Sequence, residues 1–82
     1  MNIKTINIVN SISEILFNKK LLYKISVYNK GSDIIFILDS IITIKIFSDN
    51  SLYILNYMTS NNWSCLSEKR IDKFYKLLKQ RL

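Results

Sequence analysis

Ile34-Ile35-Phe36-Ile37-Leu38-Asp39-Ser40-Ile41-Ile42-Thr43-Ile44-Lys45-Ile46-Phe47 is the most apolar stretch of the chain. Asp39 and Lys45 interrupt it, and it falls short of the roughly 20 apolar residues that cross a bilayer as a helix. β-Branched isoleucine dominates it, a residue that suits a pleated, buried surface. The stretch therefore reads as strand. Residues 34–38 form one strand and residues 41–47 continue it, with Asp39-Ser40 either turning the chain or lying inside one long bent strand.

Working outward, residues 21–28 alternate with a period of two. Leu21, Tyr23, Ile25 and Val27 interleave with Leu22, Lys24, Ser26 and Tyr28, the pattern of a half-buried strand. Asn29-Lys30-Gly31-Ser32-Asp33 supplies turn chemistry, with the one glycine of the chain available for a positive φ. Ser48-Asp49-Asn50-Ser51 is the next turn. Residues 52–58 alternate again, Tyr53, Leu55 and Tyr57 against Leu52, Ile54 and Asn56, so a fourth strand is preferred. A helix capped by Asp49 or Asn50 is the rival.

Helical spacing marks the two ends. Ile8, Ile12, Ile15 and Leu16, with Val9 beside them, share one face of a helix over about residues 4–18. A capping box of Ser11 and Glu14 offers a later start, with residues 3–9 as an extra strand; the longer helix is preferred. Ile71, Phe74, Tyr75, Leu78 and Leu82 form the stripe of a final helix. Ser64 or Ser67 can cap it, Glu68 and Asp72 fall in its first turns, and Lys76, Lys79 and Arg81 near its end. The expected fold is α+β in the order α-β-β-β-β-α, a small antiparallel meander of three or four strands with both amphipathic helices on one face.

Eighty-two residues form one domain in this reading, near the lower limit for folding without disulfides or metal. The apolar fraction of 49% is carried mainly by large side chains, each worth roughly 1.5–3 kcal/mol when fully buried. Alanine and proline are absent while Ile, Asn, Lys, Tyr and Phe abound, a usage that follows AT-rich codons. AT-rich bacteria, their phages, large DNA viruses and organelles fit it, and part of the lysine excess has the same origin. The N-terminus has no charged start before an unbroken apolar run, so it does not read as a signal peptide. A cytoplasmic protein is expected, in the host cell if phage-encoded.

The missing residues exclude most chemistry. Without histidine, the side chain best suited to proton transfer near neutral pH is lacking, and Ser-His-Asp and Cys-His arrangements cannot be made. One cysteine cannot close a zinc site, and one glycine cannot build a phosphate-binding loop. Asp33, Asp39, Asp49 and Asp72 fall near turns or a helix start, where aspartate caps or solubilises. Cys65, with no base to partner it, reads as a small buried or half-buried core residue. No enzyme activity, metal or cofactor is expected.

Binding remains. Twelve cations face six acids, a net charge of +6, and half of the cations fall within residues 69–82. Lys69, Lys73 and Lys76 stand at i, i+4, i+7, with Arg70, Lys79 and Arg81 on the flanks, a spacing that can follow a phosphate backbone. The competing reading is a solvated face that keeps an apolar protein soluble. Trp63 sits in what reads as a polar loop, closing one end of the core or serving, with Tyr57 and Tyr28, as an interface anchor. The sheet edge is a third feature, guarded by Lys24 and Lys30, and otherwise open to a partner strand or another copy of the chain.

Trp63-Ser64-Cys65-Leu66-Ser67-Glu68 followed by Lys73-Phe74-Tyr75 is faintly similar to part of a respiratory complex I subunit. That family's following Gly-Val-Asp motif is missing, and the likeness is set aside as chance. In size and plan alone the chain resembles some phage-encoded anti-CRISPR proteins. The leading expectation is a small inhibitor that sterically occupies a host protein or protein–nucleic acid complex. The alternative is a nucleic-acid or ribosome binder using the C-terminal helix. Membrane association is not expected, because that helix's apolar stripe is narrow and committed to the core.

Overall fold

The computed structural model describes residues 3–28, 33–39, 41–47, 50–59 and 61–82. Helix α1 (Ile3–Asn18) is followed by strands β1 (Lys24–Tyr28), β2 (Asp33–Leu38), β3 (Ile42–Ile46), β4 (Tyr53–Thr59) and β5 (Asn62–Glu68), then helix α2 (Ile71–Arg81). The five strands form one antiparallel sheet in chain order. The class is the expected α+β, with one strand more than the sequence suggested. The addition is β5, formed by residues that read as a polar loop and a helix lead-in. Its pairing with β4 over seven positions, Tyr53 opposite Glu68 through Thr59 opposite Asn62, satisfies backbone groups that a loop would leave to solvent.

The register sorts every side chain. Ile25, Phe36, Ile44, Leu55 and Leu66 stand in one row across the sheet, and Val27, Ile34, Ile46, Tyr53 and Glu68 in another. These rows face the helices. Ile34, Phe36, Ile44, Ile46, Tyr53 and Leu55 are buried there together with Ile8, Ile12, Ile15 and Leu16 of α1 and Phe74 and Leu78 of α2. Aromatic contacts reinforce the core, one of them between sheet and helix. The Tyr53 and Phe74 rings stack at 5.5 Å, and Tyr23 meets Phe36 at the same distance.

The helix α1 forms where its apolar face recurs every third or fourth residue, and Ser11 and Glu14 lie inside it, not at its start. It ends in a Schellman turn. The Leu21 amide donates to the Leu16 carbonyl at 3.0 Å and the Lys20 amide to the Phe17 carbonyl at 2.9 Å, with Leu16 in the core and Leu21 half-buried against it. The turn demands a left-handed residue, and Lys20 takes it at φ 58°. The other non-glycine residues with positive φ among those described are Asp39, Asn50 and Asn61, types that tolerate this region.

Lysine at such a position carries a Cβ penalty of roughly 1–2 kcal/mol, against roughly 0.5–1 kcal/mol for the extra backbone freedom that glycine loses on folding. Lys20→Gly is therefore expected to stabilise the protein, raising its melting temperature by a few degrees, whereas Lys20→Ala keeps the Cβ and should not. Paired thermal melts of the two variants check this, and equal melts would refute it.

Asp39 turns the chain between β2 and β3, so the long bent strand does not form, and residues 53–59 are strand, not helix. The Asn50 amide closes the next turn onto the Phe47 carbonyl at 2.9 Å, and its side-chain amide donates to Thr5 Oγ1 at 3.3 Å, linking the start of α1 to that turn. The expected glycine turn at Gly31, the edge guard Lys30, and Ser40, Ser48 and Asp49 lie outside the described residues. At the other end of α1, Lys19 Nζ donates to the Lys79 carbonyl at 2.8 Å. A groove between the helices is lined by Ser11, Glu14, Ile15 and Asn18 on one side and Tyr75 and Lys79 on the other. The two helices therefore run side by side in the same direction. No helix among the described residues is long and apolar enough to cross a membrane.

Candidate binding surfaces

The residues singled out from sequence do not form one surface. Helix α2 starts at Ile71, with Arg70 at its N-cap and no side-chain cap bond. Ser64, Ser67 and Glu68 belong to β5, and Lys69 precedes the helix, so the i, i+4, i+7 alignment of Lys69 with Lys73 and Lys76 does not hold. Arg70 is engaged locally. Its Nε and Nη2 donate to the two carboxylate oxygens of Asp72 at 3.2 and 3.0 Å. Desolvation pushes the Asp72 carboxyl up, but the charge and hydrogen bond of Arg70, with backbone amides, outweigh it and hold the group below its ordinary value. Glu68 Oε1 accepts from the amides of Lys69 and Arg70 at 3.2 and 3.5 Å. Acidic side chains thus take up the start of the helix, where the dipole favours them.

Beyond this start, Lys73, Lys76 and Lys79 are exposed on the face of α2 opposite Phe74 and Leu78. They span the solvent side of the helix, with Arg81 at its end. This is the basic surface that the sequence promised, shortened by Lys69 and by the paired Arg70.

Trp63 lies on the other side of the molecule. It is in β5, opposite Met58 of β4, and points away from the helices. It is 57% exposed, so it does not close the core. Ile41 joins the same row, because its carbonyl accepts from the Met58 amide at 3.1 Å and its neighbour Ile42 stands opposite Tyr57. Ile41, Met58 and Trp63 are thus three large exposed apolar side chains side by side at one corner of the helix-free face. The next rows on this face carry Lys24, Ile37, Thr43, Asn56 and Cys65, then Ser26, Ile35, Lys45, Ile54 and Ser67. The central members of these rows are only half-buried. Lys45 Nζ sits 4.4 Å from the centre of the Phe47 ring.

Tyr57, paired with Ile42 and Ser64, is on the helix side and packs against the core half-buried. It is therefore separated from Trp63 by the thickness of the sheet. Cys65 is exposed on the helix-free face, not in the core. Asp33 opens β2 and is buried instead of sitting in a solvated turn. Sequence reasoning missed Ile41 and Met58. The period of two in residues 52–58 carried a signal for Met58, but placing it beside Trp63 requires β5.

No protein-family model matches the chain, and no curated protein or solved structure matches it either.

Proposed function

We propose that the chain is a small non-enzymatic binding protein, of the kind phages and mobile elements encode, which blocks a host macromolecule by sitting on it. The observation that carries this reading is the row of Ile41, Met58 and Trp63 on the sheet face that no helix covers. Contiguous apolar surface of this kind, centred on tryptophan, is what protein interfaces use for affinity. Lys24 and Lys45 share that face, and the net charge is +6. Both favour an acidic partner and speed its encounter.

A second reading rests on α2. Lys73, Lys76 and Lys79 on its outer side suit the phosphate backbone of a nucleic acid or a ribosome. The two surfaces are on opposite sides of the sheet, so substitutions separate them. With the protein immobilised and exposed to extract of its native host, a Met58→Ser/Trp63→Ser variant should retain less than about a tenth of the wild-type amount of a specific macromolecule. A Lys73→Glu/Lys76→Glu/Lys79→Glu variant should mainly alter the salt dependence. Binding of generic DNA or RNA at low salt that survives the first variant and vanishes in the second would replace the first reading with the second.

A further inference from the structure

Strand β1 is the first edge of the sheet, bonded to β2 alone. Its Ile25 and Val27 belong to the rows that face the helices, yet they are 43% and 50% exposed. The helix layer stops short of this strand. Pairing with β2 is continuous at all five positions, Lys24 opposite Ile37 through Tyr28 opposite Asp33, so no bulge twists the edge away. Lys24 is the one charge in the strand, a thin guard against pairing with further strands.

The strand reads Lys-Ile-Ser-Val-Tyr, and this order is complementary to itself. Laid antiparallel against a second copy about Ser26, it places Ile25 opposite Val27 and Lys24 opposite Tyr28, each twice. The β-branched pairs fall on the helix side, where both residues lack cover, and such cross-strand pairs stabilise sheets. The lysines fall beside tyrosine rings on the other side, where ammonium and ring attract. No like charges face each other. The other edge offers nothing comparable. Paired with itself about Cys65, β5 would set Asn62 against Glu68 and Trp63 against Ser67.

We propose that two copies of the chain join through β1 into a two-fold dimer with one continuous sheet and all four helices on the same side. The interface is isologous, so every substitution in it counts twice. It leaves the Ile41, Met58 and Trp63 row at the far side of each sheet, available to a partner in both copies.

Engineered cysteines test the pairing in a Cys65→Ser background. Residues opposite one another across antiparallel strands have Cα atoms about 4.5–5.5 Å apart, within disulfide range. Ser26→Cys is expected to cross-link with itself on oxidation. Lys24→Cys and Tyr28→Cys should each fail alone and cross-link when mixed. Sedimentation of the unmodified chain over a range of concentrations should show a dimer, and Val27→Lys, on a half-exposed site, should stay folded and dissociate it with a dissociation constant raised roughly tenfold or more. A monomer at every concentration overturns the proposal. So does a dimer that Val27→Lys leaves intact, or one in which Ser26→Cys does not cross-link.

Discussion

Phe36→Ala is expected to cost about 3–5 kcal/mol, the range for emptying an aromatic site in a closed core. Phe36 is fully buried on β2, between Ile25 and Ile44 in the register, with the Tyr23 ring at 5.5 Å. Strands on both sides fix its backbone, so the void has little room to collapse. A chain of 82 residues has a total stability of roughly 4–12 kcal/mol, and this one substitution removes a large part of it. Thermal or urea unfolding followed by the sheet signal should show the melting temperature falling by roughly 15–30 °C. A shift of only a few degrees would mean that Phe36 does not anchor the core.

The second large effect is expected from Phe74→Ala, of the same order, about 3–5 kcal/mol, but distributed differently. Phe74 is fully buried and stacks on Tyr53, and with Leu78 it is the fully buried contact of α2. The helix has eleven residues, too few to be stable in water without docking. Loss of the ring should therefore loosen α2 before the sheet. Amide exchange of residues 71–81 should accelerate ahead of β2, β3 and β4. If those helix amides stay as protected as the central strands, α2 is held by something other than this ring.

Much of this architecture was legible along the chain. The spacing of Ile8, Ile12, Ile15 and Leu16 placed α1 within one residue of its observed start, and alternation in residues 21–28 and 52–58 marked β1 and β4. Local pattern suffices where one face is buried and the other is not. It failed at β5, a sheet edge whose outward residues are Trp63, Cys65 and Ser67 and whose inward ones are Ser64, Leu66 and Glu68. Leu66 alone is strongly apolar on the inner side, so the period of two is faint. The strand exists because β4 offers it a partner, a fact about distant residues.

The misreading of β5 propagated into the site. Reading residues 62–68 as loop and helix lead-in puts Lys69 on the basic face and Trp63 near the core. The charges of α2 were legible as charges, and Phe74 and Leu78 as its buried stripe. Which side of the sheet Tyr57 and Trp63 occupy depends on register, and a shift of one residue exchanges the faces. The exposed row of Ile41, Met58 and Trp63 brings together the turn before β3 and strands β4 and β5, and could not be assembled from any single segment.

The parallel pairing of α1 and α2, closed by the Lys19 bond to the Lys79 carbonyl, bears on how the chain acquires its shape. Every strand pairs with its neighbour in sequence, so the sheet can zip up hairpin by hairpin, each step closing a short loop at small entropic cost. The helices are at opposite ends of the chain and must meet across its whole length. As the polypeptide leaves the ribosome, Phe74 and Leu78 emerge after all five strands. Until they arrive, α1 alone can cover the sheet and Tyr53 lacks the ring that stacks on it, so the docking of α2 is a single late event.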